Sequence, residues 1–120
     1  MGWLDVRAEV VNRSVRLAEP YANVAVSGTN FLFRAVDLPR RGRASGVSLL
    51  AGGRRLDLGE PESYWEEPKG AFGVARIPDL EDVVLTLMGD PRGAALELSF
   101  GDEAVSLPVR SIRVETRIPL

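Results

Sequence analysis

Apolar residues recur at every second position along nearly the whole chain, and turn residues interrupt the pattern about every ten residues. In residues 3–11 (WLDVRAEVV), Leu4, Val6, Ala8 and Val10 fall on one face. Asp5, Arg7 and Glu9 fall on the other, where Trp3 is the apolar exception. A period of two does not suit a helix, whose neighbouring faces recur every three or four residues. The chain is therefore expected to be all-β, an antiparallel sandwich or small barrel of about ten short strands.

The spacing predicts a hairpin over 4–18 with its turn at Asn12-Arg13-Ser14, then strands near 22–26 and 31–36. The loop 37–46 follows by its Pro and Gly content. Val47–Leu50 and Leu56–Leu58 flank Gly52-Gly53, and two glycines accept the positive φ of a tight hairpin turn. Residues 60–70 read as irregular and 71–77 as a strand. Residues 79–89 fit two patterns. Leu80, Val83, Val84, Leu87 and Met88 match a helical face capped by Asp79, yet the run is short and β-branched at its centre. A strand pair joined by the turn at 89–93 is the favoured expectation, with a short helix near 79–88 as the alternative. Segments 94–100, 104–109 and 110–118 complete the set.

The 120 residues suit one domain over 1–120. The chain contains neither cysteine nor histidine. It therefore has no disulfide framework or thiolate, and it lacks the commonest general base and transition-metal ligand. No serine motif lies near Lys69, the sole lysine, and no glycine-rich segment has the ending of a phosphate loop. Glu60, Glu62, Glu66 and Glu67 crowd around Tyr64 and Trp65 as a conceivable acid/base group, but a solvated acidic loop is the simpler expectation. The EF-hand spacing is absent. Asn12-Arg13-Ser14 fits a glycosylation sequon without a secretion signal to support it. The expectation is a non-enzyme with no cofactor and no bound metal, soluble, cytoplasmic or a virion component, and without a membrane span.

Binding is then the remaining route to function. Arg40, Arg41 and Arg43 in the loop and Arg54 and Arg55 after the glycine turn bring five guanidinium groups close in sequence. Such forks suit carboxylates and phosphates. A net charge of −2 and the lack of aromatics beside the arginines argue against nucleic acid and for a protein partner. Tyr64 and Trp65 are of the types that dominate interfaces, and Trp3 is a further candidate contact. A basic loop and an acidic, aromatic segment on one chain would allow copies to join head to tail into rings or tubes.

The stretch FRAVDLPRRGRASGVSLLAGGRRLDLGEPE, followed by PKGAFGVARI, resembles the core of small head–tail joining (neck) proteins of tailed bacteriophages over about residues 33–77. The shared sequence of features is a strand, Asp-Leu-Pro, a glycine loop, a strand, a glycine turn, a strand ending near Glu-Pro and a final strand. The strands after Pro78 depart from that pattern, and a capsid decoration protein or tail-tube component fits as well. The resemblance implies an oligomeric β-barrel with a structural role and no catalytic residues. A monomeric module that recognises a carbohydrate or protein through Tyr64 and Trp65 is the alternative.

Overall fold

A computed structural model describes residues 2–120 as nine strands and one helix. The strands are β1 (Trp3–Val11), β2 (Tyr21–Ser27), β3 (Asn30–Val36), β4 (Gly46–Ala51), β5 (Arg54–Gly59), β6 (Ser63–Glu67), β7 (Gly70–Arg76), β8 (Ala95–Phe100) and β9 (Glu103–Pro119), with α1 (Leu80–Gly89) between β7 and β8. They form one sheet in the order β5-β4-β8-β9-β2-β3-β7-β6, with β1 added to β9. The sheet curls into a half-barrel, an all-β fold as the alternation requires. Gly52 and Gly53 take φ of 58° and 73° in the β4–β5 turn, the conformation that only glycine adopts without strain.

β9 is the spine. It pairs along one edge with β8 and then β1, both antiparallel, and along the other with β2, which runs parallel. Leu107 and Val109 point inward, but so do Ile112, Val114, Thr116 and Ile118. The inward parity thus shifts by one residue near Arg110-Ser111. The β2 register shifts at the same place, Ala22 facing Val109 and Asn23 facing Ser111. A β-bulge of this kind keeps apolar side chains in the core on both sides of it. Pro108 is tolerated because Val109 donates to Ala94 across the β8 edge, which turns the nitrogen of Pro108 the other way, short of where β2 begins. The break in alternation predicts two strands, 104–109 and 110–118, where the structure has one continuous strand.

Three further expectations need correction. The hairpin over 4–18 is not formed. Residues 12–20 are a turn-rich connection that carries the chain across to β2. The buried Asn12 holds it, donating from Nδ2 to the Arg92 carbonyl at 3.0 Å and accepting from the Ser14 hydroxyl at 2.6 Å. Its amide nitrogen is thus occupied inside the fold, not presented as a glycan acceptor. The irregular reading of 60–70 is also wrong, because residues 63–67 form β6, paired to β7 through Trp65 opposite Phe72. Finally, residues 80–89 are a helix. Asp79 caps it, accepting from the Asp82 amide at 3.1 Å. Val83, Val84, Thr86 and Leu87 are buried against the inside of the half-barrel, with α1 touching β4 and β9. The open side of the curled sheet supplies an apolar surface that one helical face fills and a further flat strand would not.

Phe31, Phe33, Leu49, Leu87, Leu96, Leu98, Leu107 and Ile112 are among the fully buried side chains. The two ends of the sheet, β5 and β6, are joined directly through Glu60-Pro61-Glu62 yet do not pair. The 37–45 connection straps this part of the molecule together, as its bonds show.

Candidate interaction surfaces

The five arginines do not form one free cluster. Arg40 pairs with Glu103 and lies over the Phe100 ring, its guanidinium carbon 5.7 Å from the centroid. Arg41 donates to the Pro68 carbonyl at 3.3 Å. Arg43 donates to the Pro61 carbonyl at 2.8 Å and sits 3.8 Å from the Glu60 carboxylate. The Gly42 amide donates to Glu66 Oε1 at 2.8 Å. The basic loop and the acidic segment, expected to meet between copies, are therefore bonded to each other within one molecule. Sequence distance hid this, since β3 and β7 pair side by side and bring both loops to the same end.

Arg54 and Arg55 face elsewhere. Arg54 forms a forked pair with Asp82 on α1, Nη2 lying 3.0 Å from Oδ2, and donates to Thr86 at 3.1 Å. Arg55 reaches Glu97 at 2.7 Å and Asp57 at 3.1 Å. These contacts tie the β5 edge to the helix and to β8.

The Ser48 hydroxyl, 2.6 Å away, and the Arg55 guanidinium hold the Asp57 carboxyl below its ordinary value. The fork from Arg54 does the same for Asp82. A carboxyl with a lowered folded pKa stabilises above the unfolded pKa of about 3.9 and loses that contribution as pH falls through the folded value. Asp82→Asn should therefore lower the melting temperature modestly at neutral pH, and the gap from wild type should close on acidification below pH ~4. Melting curves across that range check it; a gap that stays constant with pH would show that Asp82 ionisation does not matter.

Tyr64 and Trp65, adjacent in β6, point to opposite faces. Tyr64 turns inward with its ring centroid 6.4 Å from that of Phe33, so it helps close the core. Its hydroxyl is buried with no partner in good hydrogen-bond geometry among the described residues, and burial first, with Glu66 second, raises its pKa against the smaller opposing pull of the Ala44 backbone and Arg43. Trp65 points out and is 54% exposed. It rests on Phe72 at 5.4 Å between centroids, and Arg34 lies over the same Phe72 ring at 5.5 Å while pairing with Glu67 at 3.3 Å. Leu32 and Val74, both half-buried, share this convex face by register. The sequence pointed to Trp65 but not to the patch, whose other members come from β3 and β7.

Glu60, Glu66 and Glu67 are drawn to three different partners, Arg43, Gly42 and Arg34, rather than to a common point. Among the described residues no group of acidic side chains is placed to hold a metal ion, and no helix is long and apolar enough to cross a membrane.

The third surface is the ribbon of β1 and the end of β9. Trp3 is 64% exposed and Leu4 is 50% exposed, with Leu120 beside them. On the outer face Asp5 pairs with Arg117 at 2.7 Å, Arg7 with Glu115 at 3.2 Å and Glu9 with Arg113 at 3.6 Å. A groove of about 740 Å³ opens beside the ribbon between Trp3, Val6, Thr29, Leu80 and Thr116. No family model, curated protein or solved structure matches the chain.

Proposed function

We propose that this chain is a non-enzymatic subunit of a larger protein assembly, such as the neck, tail or capsid shell of a phage virion. Trp65 carries the reading: a large aromatic side chain, more than half exposed, on a convex sheet face where Phe72, Leu32 and Val74 extend the apolar surface. Tryptophan exposed in this setting is the residue type that most often dominates a protein interface. Arg40, Arg41 and Arg43, already engaged within the chain, act as rim residues, and Arg54 and Arg55 brace β5 against α1 and β8. The partner is protein rather than nucleic acid, since no guanidinium group among the five is left as an unpaired phosphate-binding row.

Sedimentation velocity over a wide concentration range tests this. The wild type, alone or with the neighbouring virion proteins, should associate. Trp65→Ala should weaken that association at least tenfold with the melting temperature nearly unchanged, since truncating such a residue costs about 2 kcal/mol or more of binding. Association indifferent to Trp65→Ala would remove this face from the assembly.

The Trp65–Phe72 stack with Arg34 beside it also favours a second reading, a recognition module whose open ring stacks on a sugar or peptide. Under that reading a ligand quenches or shifts Trp65 fluorescence while the sedimenting mass stays that of one chain.

A further inference from the structure

β1 pairs with β9 along one edge and, among the described residues, with no strand along the other. The remaining strand ends are guarded: Gly42 and Arg41 of the strap bond to β6 and its turn, and Arg54 ties β5 to α1. β1 has no such cover. It is nine residues long, holds an uninterrupted register from Trp3 to Val11, and contains no proline, lysine or bulge. Proline, lysine, bulges and inward-pointing charges are devices by which edges are protected from pairing; the three charges of β1 alternate in sign and lie on the outer face, paired to β9.

The direction of its free groups follows from the bonds at its two ends. The Leu120 amide donates to the Gly2 carbonyl and the Asn12 amide to the Arg110 carbonyl. Even-numbered residues of the strand thus bond to β9, and the amides and carbonyls of Trp3, Asp5, Arg7 and Glu9 point outward. The same four side chains lie on the outer face, where their charges run minus, plus, minus after Trp3.

We propose that the β1 edge pairs antiparallel with β1 of a second copy of this chain, about a two-fold axis at Val6. Every axis at a residue keeps the apolar face inward, and axes at residue 6, 7 or 8 pair seven or more residues of each strand. At Arg7 the pairing sets Arg7 against the partner's Arg7 and Asp5 against the partner's Glu9, like against like. At Val6 it sets Asp5 opposite the partner's Arg7, and the reverse, giving two reciprocal ion pairs. Each then extends the existing rows: Glu115, Arg7, the partner's Asp5 and the partner's Arg117 alternate in sign across four strands. An axis at Ala8 also makes two pairs, Arg7 with the partner's Glu9. However, it places Asp5 opposite Val11 and Leu4 opposite Asn12, at the end where the 12–20 connection and Arg92 crowd the strand.

The axis at Val6 sets Trp3 opposite the partner's Glu9 with the partner's Val11 on the diagonal, and puts Leu4 beside the partner's Ala8, so it covers three of the exposed apolar residues, whereas the axis at Ala8 leaves Trp3 beyond the paired stretch. Seven residues on each strand would face each other, completing about eight backbone hydrogen bonds. The two half-barrels become one continuous sheet with an isologous interface.

This inference rests on the reading of the chain as an assembly subunit, and its test is separate from the Trp65 test. The chain has no cysteine of its own, so a single introduced thiol reports only its own position. At the two-fold axis Val6 forms a non-hydrogen-bonded pair with its copy, with Cα atoms about 4.5 Å apart, inside the range a disulfide spans. Under mild oxidation Val6→Cys should convert most of the protein to a disulfide-linked dimer on a non-reducing gel. Arg7→Cys and Ala8→Cys, the axis positions of the other two registers, should run as single chains on the same gel, without a disulfide. Unmodified protein should show the mass of a dimer by light scattering at the same concentration, and that measurement needs no variant to fold.

A monomeric wild type overturns the proposal, and so does cross-linking of Arg7→Cys or Ala8→Cys in place of Val6→Cys. A wild-type oligomer whose Val6→Cys thiol stays free also overturns it, but leaves the assembly reading standing on the Trp65 face. A Val6→Cys dimer combined with an inert Trp65→Ala has the opposite meaning.

Discussion

Phe33→Ala should cost about 3–5 kcal/mol, the loss expected when a fully buried phenylalanine is truncated and its cavity only partly collapses. Phe33 is 1% exposed on β3, with Phe31 on one side and Tyr64 on the other, each 6.4 Å away between ring centroids. The register sets it opposite Gly73 on β7, and the ring lies over that glycine so closely that a Cβ there would be 2.2 Å from its ζ carbon. The glycine makes room and the ring covers the strand where it has no side chain of its own. For a chain whose whole stability is of order 5–15 kcal/mol, the loss leaves a marginal fold.

Urea unfolding reads it directly as a drop in midpoint at unchanged slope. Gly73→Ala should itself destabilise by about 1–3 kcal/mol through overpacking. In the Phe33→Ala background the same change should cost far less, because the atoms it struck are gone. Equal costs in both backgrounds would mean that the ring is not seated on Gly73.

A second pair of substitutions divides helix from strand over 80–89. Leu87→Ala should cost about 2–5 kcal/mol, whereas Leu85→Ala should stay within roughly 0.5 kcal/mol of wild type. Leu87 is fully buried under the sheet and Leu85 is 62% exposed. A strand would have put Val83, Leu85 and Leu87 on one face, and the two leucines would then respond alike. On the helix, Val83, Val84 and Leu87 make the buried face and Leu85 falls outside it. Thermal melts of the two variants suffice, and comparable losses would contradict the helix.

The fold class was legible because period two leaves few alternatives over so many short segments. The Gly52-Gly53 turn was legible because only glycine takes two successive positive φ values cheaply. β6 was missed, although a signal was present: an aromatic pair at Tyr64 and Trp65, then Pro68-Lys69 as a two-residue turn into β7. The acids and the proline around it masked a two-sided strand. Among candidate contacts, Trp3 and Trp65 were identifiable, since a tryptophan on a charged face has little reason to be there for packing alone. Tyr64 was not separable from its neighbour until β6 existed and gave the two residues opposite faces.

The sequence by itself determined which side chains face in and which face out along the strands it marked by alternation, and it removed histidine and cysteine chemistry from consideration. Alternation cannot say which strands are neighbours, because a face is a local property and a neighbour is not. Only the tertiary structure decided that the arginine loop meets the acidic hairpin within the same molecule. It also decided that a bulge near Arg110 carries β9 unbroken through a change of parity. Finally, it left the outer backbone edge of β1 without a neighbouring strand among the described residues, beside a row of charges that alternate in sign, the arrangement on which the proposed pairing with a second copy rests.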